Sequence, residues 1–216
     1  MKGKRDGLMS IVGGLLLIAA ALSITGYNLY ENRQAESQRD AVLEELLKEL
    51  PEETEAWEPQ RPEAWERAPE EIVYPDYVLN PNMEMPVRQI EGYDYISVLS
   101  IPALEGEWPV MAEWDYRRLR INPCRYSGSA YLDDLVICAH NFRSHFGRLA
   151  TLSIGDEVIL TDMDGNVFRY RVAEITTLQP MAVQEMTDSG WPLTLFTCTV
   201  GGRTRVTVRC EKWLDG

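Results

Sequence analysis

The sequence predicts an all-β domain, a closed barrel or a sandwich, carried behind an N-terminal apolar helix and an acidic linker. Three observations lead there. Short β-rich runs recur through the last ~130 residues, a spacing typical of all-β architectures. Two pairs of these runs are joined through Asp164-Gly165 and Gly201-Gly202, dipeptides that favour tight hairpins. Helical signal in that region is confined to a turn or two near Tyr116–Leu119 and Phe146–Leu152.

At the N-terminus, Lys2, Lys4 and Arg5 precede an uncharged apolar stretch from Leu8 to Tyr27. Its roughly 20 residues suffice to cross a hydrocarbon core of about 30 Å as a helix. Tyr27 and Tyr30 fall where the far interface would lie, and the basic residues assign the short N-terminal side to the cytoplasm. Ala19-Ala20-Ala21 offers a signal-cleavage alternative, but the stretch is long for a signal sequence. Residues 1–30 are therefore read as a cytoplasmic N-terminus and a single-pass transmembrane anchor, with the rest of the chain outside the cell.

Residues 31–86 carry 16 Asp/Glu and 5 Lys/Arg, so most of the net charge of -13 resides there. Ala41, Val42, Leu46 and Leu50 suggest a helical stripe and Glu44–Lys48 an i,i+4 pair, the pattern of a helical stalk. Pro51 ends it, and Pro59, Pro62, Pro69, Pro75, Pro81 and Pro86 mark an extended, solvated linker containing Trp57 and Trp65. The acidic balance excludes nucleic acid as a partner, because phosphate contacts need a basic stripe. It also gives no reason to expect docking on anionic lipid.

The folded domain is expected over residues 87–216. Its strand candidates are Tyr95–Ile101, Leu135–Ala139, Glu157–Thr161, Val167–Ile175, Leu193–Cys198 and Arg205–Cys210. Asp162-Met163-Asp164-Gly165-Asn166 lacks the spacing and closing Glu of a calcium loop and is read as a plain turn. Cysteines stand at 124, 138, 198 and 210 without CxxC spacing, so no zinc site is expected. Cys124, Cys138 and Cys210 lie in apolar or strand-like surroundings and read as buried thiols.

The chain has two histidines, His140 and His145. An extracellular Cys/His pair raises the prospect of a thiol nucleophile: the thiolate forms a thioester, the imidazole protonates the leaving amine, and a cationic donor faces the oxyanion. If Gly201-Gly202 forms a two-residue turn, Val200 pairs with Arg203, Thr199 with Thr204 and Cys198 with Arg205. Directly opposed side chains share one face, which favours Arg205 over Arg203 as the cation beside the sulfur. Arg209 would pair with Thr194, farther along. His140 ends an apolar run, a common place for a catalytic group, whereas His145 reads as a loop residue and Arg143 and Arg148 as solvated.

These residues carry a resemblance. Thr194-Leu195-Phe196-Thr197-Cys198, with Arg205 on the next strand, resembles the TLxTC…R signature of sortases. Ala139-His140-Asn141, followed by Phe146 and Leu149, resembles the sortase histidine segment, with Ala139 in place of the usual Gly. The similarity covers roughly residues 90–212. It implies a closed eight-stranded β-barrel with short helices and a site of Cys198, His140 and Arg205, with Thr197 and Asn141 touching substrate. It implies a transpeptidase that cleaves an LPxTG-like sorting signal and joins the product to an amine, with no metal or cofactor. The implied partners are surface proteins bearing a C-terminal sorting signal and an amine such as a peptidoglycan cross-bridge, besides the membrane. Asn141 is similar to the class B pattern, although Thr176–Pro192 is short for that class. Neither a D-P-aromatic lid motif nor a C-terminal apolar helix is found, so wall anchoring is expected over pilin polymerisation. A membrane-tethered cysteine hydrolase and a non-catalytic peptide-binding barrel are the rival readings.

Overall fold

In the computed structural model, residues 2–51, 54–55, 74–188 and 190–213 are described. Most of the linker, with Trp57 and Trp65, lies outside the described residues. Eight strands build the barrel: β1 (Tyr93–Ile101), β2 (Gly106–Met111), β3 (Cys124–Ser127), β4 (Leu135–Ala139), β5 (Glu157–Asp162), β6 (Asn166–Leu178), β7 (Leu193–Cys198) and β8 (Arg205–Lys212). Their hydrogen-bonded order is β1-β2-β3-β4-β7-β8-β6-β5, and β5 pairs back onto β1, which closes the ring. Closure removes sheet edges that would otherwise stay unpaired. A short strand, Arg88–Ile90, adds to β1 from outside. The eight barrel strands pair antiparallel except where β2 meets β3 and β4 meets β7.

Alternation along the strands sorts the side chains. Leu135, Ile137 and Ala139 of β4, Leu193 and Leu195 of β7, and Val208 and Cys210 of β8 point into the barrel core. Val136 and Cys138 of β4 and Phe196 of β7 point outward and join a second apolar cluster. By the two-residue period of a strand, His140, Cys198 and Arg205 belong to this outer face.

Helix α1 runs unbroken over Lys2–Glu49. It is long and apolar enough to cross a membrane, and Leu15, Leu16 and Leu17 are exposed on it. The segment expected as a stalk is its second half, which lies along the barrel wall instead of standing clear. Val42 and Leu46 are buried in the outer cluster with Ile90, Tyr95 and Met111. Leu50 is half-buried and Ala41 exposed, so the apolar stripe is narrower than the sequence suggests.

Residues 74–86 also belong to the folded unit, which thus begins before Val87. Their short helix α2 (Asp76–Leu79) buries Tyr77, which stacks on Tyr131 at 4.6 Å between ring centroids. The turn at 162–166 is built on one carboxylate. Asp162 accepts from the Asp164 and Asn166 N–H groups, from Asn166 Nδ2 and from the Tyr131 hydroxyl. These bonds fulfil a hairpin turn, and no cluster able to hold a metal occurs among the described residues.

Candidate active site

Cys198 ends β7, in the middle of three strands. On one side, β8 runs antiparallel with Cys198 directly opposite Arg205. On the other, β4 runs parallel with Ala139 level with Thr197, so the next residue on each strand is His140 and Cys198. The register thus places the three residues named from the sequence on neighbouring strands at one rim, on the outer face.

The register across β7 and β8 is the expected one, but the turn is not. Thr199 donates its N–H to the Thr204 carbonyl (3.0 Å), and the Gly202 N–H closes back on the Thr199 carbonyl (2.8 Å). Four residues, 200–203, make the loop, with Gly201 at φ +84° as a type II turn requires at its third position. The Thr199 hydroxyl reaches the Thr204 hydroxyl at 3.0 Å and reinforces the closing pair. A four-residue loop closed by Thr199 and Thr204 leaves Cys198 facing Arg205, as a two-residue turn would. Arg203 stays exposed in this loop. Arg209 lies opposite Thr194 and is committed to Glu174 at 3.3 Å.

Of the four thiols, all of them free, only Cys198 is not buried. Burial pushes the Cys138 and Cys210 thiols up to about 12 and raises Cys124 as well. Such thiols stay protonated and inert near neutral pH.

His140 is half-buried and stacks on Phe142 with centroids 4.8 Å apart. Burial lowers its pKa below the ordinary imidazole value, the Arg120 guanidinium lowers it further, and the Glu31 carboxylate opposes both. Arg120 and Glu31 face each other at 3.9 Å, so an ion pair between the barrel and α1 borders the histidine. Asn141 follows it, half-buried. Thr197 is buried, and its hydroxyl donates to the Ala139 carbonyl at 2.9 Å, which ties the end of β7 to the end of β4.

The loop after His140 is held at many points. The Phe146 N–H donates to the His140 carbonyl, and the Gly147 N–H to Phe142. Trp108 Nε1 donates to the Ser144 carbonyl at 2.8 Å, and Arg39 of α1 reaches the same oxygen. His145 lies in this loop, as expected, and is buried. Its Nε2 bonds the Ile121 carbonyl at 3.1 Å; a carbonyl only accepts, so that nitrogen carries the proton. Burial pushes its pKa down to about 4, leaving the ring neutral at physiological pH. Phe142, Trp108, Arg120 and Glu31 support the site without having been singled out in the sequence. Phe142 was within reach as an aromatic two residues past His140; Glu31 and Arg120 were not, because only tertiary packing brings them to it.

Comparison with known proteins bears on the family and the fold. A family model described as a sortase domain matches residues 99–213. No curated protein matches the chain. Among solved structures, sortase C1 from Streptococcus agalactiae is similar at TM-score 0.51 and 22% identity, over 59% of this chain and 72% of that one, a likeness of fold. A Clostridium perfringens sortase D5 transpeptidase aligns at TM-score 0.49 and 21% identity, over 56% and 80% of the two chains. A lid mutant of sortase A from Corynebacterium diphtheriae aligns at 0.49 and 22%, over 64% and 76%.

Proposed function

The chain belongs to the sortase family, and on that premise we propose that it is a membrane-held cysteine transpeptidase that cleaves an LPxTG-like sorting signal and passes the acyl half to an amine. The observation that carries the reading is that the one thiol left accessible lies between Arg205 and the strand end bearing His140.

In this mechanism Cys198 Sγ, as thiolate, attacks the carbonyl carbon of the scissile bond. The Arg205 guanidinium donates hydrogen bonds to the oxyanion that forms. His140, as imidazolium, gives its proton to the leaving amine as the C–N bond breaks, which leaves a thioester on Cys198. The neutral imidazole then takes a proton from the incoming amine as its nitrogen attacks the thioester. The new amide forms and the thiolate is released. A histidine pKa held below the ordinary value makes the imidazolium a minor species but a stronger acid. Asn141 and Thr197 complete the substrate site, Thr197 from beneath, through its bond to the Ala139 carbonyl.

The partners in this reading are surface proteins carrying the signal and an amine such as a peptidoglycan cross-bridge, with α1 in the cell membrane and the barrel outside. The test mixes the protein with a sorting-signal peptide library and follows intact mass. A thioester adduct is expected on the wild type and none on Cys198→Ala. Arg205→Ala should lower kcat/KM by about 100-fold or more, the usual cost of losing an oxyanion donor. A cross-bridge peptide should convert the adduct to an amide; capture only by a pilin lysine would reassign the enzyme to pilin polymerisation. Free acid alone at high amine concentration would make it a hydrolase.

A further inference from the structure

The way α1 meets the barrel fixes where the barrel lies relative to the end of the apolar run. That run ends at Tyr27, and Glu31 and Asn32 already touch the barrel, through Arg120 at 3.9 Å and the Arg143 N–H at 3.1 Å. At a rise of about 1.5 Å per residue, those contacts lie ~6–8 Å beyond the run. A bilayer of about 40–45 Å around a core of about 30 Å has a headgroup layer of roughly 5–8 Å on each side. The loops that grip α1 therefore stand at headgroup height, with no spacer beneath the barrel.

Those loops have the chemistry of that layer. Segments 113–121 and 140–148 hold five arginines and two carboxylates, in a chain whose net charge is -13. Trp114 is 40% exposed and Tyr116 77%, and the two rings meet edge to face at 6.1 Å. Exposed Arg117 and Arg143, and Arg33 on α1, have no side-chain partner among the described residues. Of the acids nearby, Glu113 faces Arg118 at 3.6 Å and Glu31 faces Arg120, while Glu36 and Glu105 remain exposed. Amphipathic aromatics beside arginines are the side chains that settle at a membrane interface.

We propose that loops 113–121 and 140–148 form a seat for anionic phospholipid headgroups, which presses the barrel onto the leaflet from which α1 emerges. This rests on the reading of α1 as a membrane span. The overall acidity of the chain does not oppose it, because most of the net charge lies in residues 31–86 and charge acts over about a Debye length, ~8–10 Å.

The test uses the full chain in vesicles of phosphatidylcholine alone or with about one-third phosphatidylglycerol, with a shallow doxyl-labelled lipid as quencher. Carbonate extraction first asks whether α1 spans. The Trp114 signal, taken as wild type minus Trp114→Phe, should lose at least half its intensity in the anionic vesicles and less in the neutral ones. Each arginine is expected to change the seated population about five-fold, so Arg117→Glu with Arg143→Glu should shift it by 25-fold or more and restore the emission. A carbonate-resistant chain whose Trp114 is not quenched would overturn the seat and leave the span standing. Release by carbonate would overturn the span and the seat with it. Equal quenching in both vesicles, unmoved by the charge reversals, would overturn the anionic partner.

Discussion

His140 is a half-buried imidazole with a cation and an anion set against it, and each can be removed separately. Arg120 lowers its pKa and Glu31 raises it. Arg120→Gln is therefore expected to move the His140 titration to higher pH and Glu31→Gln to lower pH, read from the imidazole resonances by NMR. Titrations that do not separate would show that burial alone sets the proton affinity. In the proposed mechanism the neutral imidazole takes a proton from the incoming amine, so the acid limb of kcat should move in the same direction as the titration. The sequence made the site legible at this scale to an unequal degree. Turn arithmetic, a local property, set Arg205 opposite Cys198, and a strand end marked His140 as a candidate, but only the resemblance to sortases joined the three into one site. The charges that tune His140 come from α1 and from the turn after β2, and no local pattern records that approach.

At the scale of elements, the loop after β4 and the β7–β8 hairpin each hold one part of the site. A Cβ at Gly147 would lie 2.7 Å from the carbonyl oxygens of both Asn141 and Phe142. Gly147→Ala must displace the backbone beside His140. It is expected to cost about 1–3 kcal/mol of stability, and a displacement of even ~1 Å at the histidine should lower kcat by about 100-fold. Thermal unfolding and single-turnover rates would check both. In the hairpin, deleting Gly202 leaves three residues between Thr199 and Thr204. If the ladder slips by one to recover a good turn, Arg205 rotates toward the interior. Activity should fall about as far as in Arg205→Ala, and Arg205→Ala should add little to the deletion.

Six barrel strands were readable because each is a continuous run of strand-forming residues; β2 and β3 were not. Pro109 sits inside β2, and a proline normally argues against a central strand. It is accommodated because β2 meets β3 only at Met111, so at Pro109 the strand behaves as an edge. Strand β3 is four residues long, too short for a period to show. The closing of the sheet into a ring, through β5 against both β1 and β6, depends on long-range pairing that composition does not encode.

For the whole molecule, His145 links stability to pH. Its folded pKa, about 4, lies below the value near 6.5 expected of an unfolded chain. The unfolded state therefore binds a proton that the folded state refuses, and stability falls as pH drops through that window. The loss should approach ~3 kcal/mol between pH 7 and pH 4, with His140 adding in the same direction. Urea midpoints of the detergent-solubilised chain should fall accordingly, and His145→Gln should weaken the dependence; a flat profile would contradict the assignment. The unbroken course of α1 has a different consequence, one of phase and height. One residue inserted between Tyr27 and Glu31 turns the anchor by about 100° against the barrel and lifts the barrel by about 1.5 Å, whereas four residues nearly restore the rotation and raise it ~6 Å. On the proposed reading of α1 as a membrane span, the enzyme would work as a gauge with its cutting edge at one elevation. Among membrane-tethered substrates it should favour those whose scissile bond stands at that elevation, and the four-residue insertion should move the preference to spacers longer by two extended residues, ~6–7 Å.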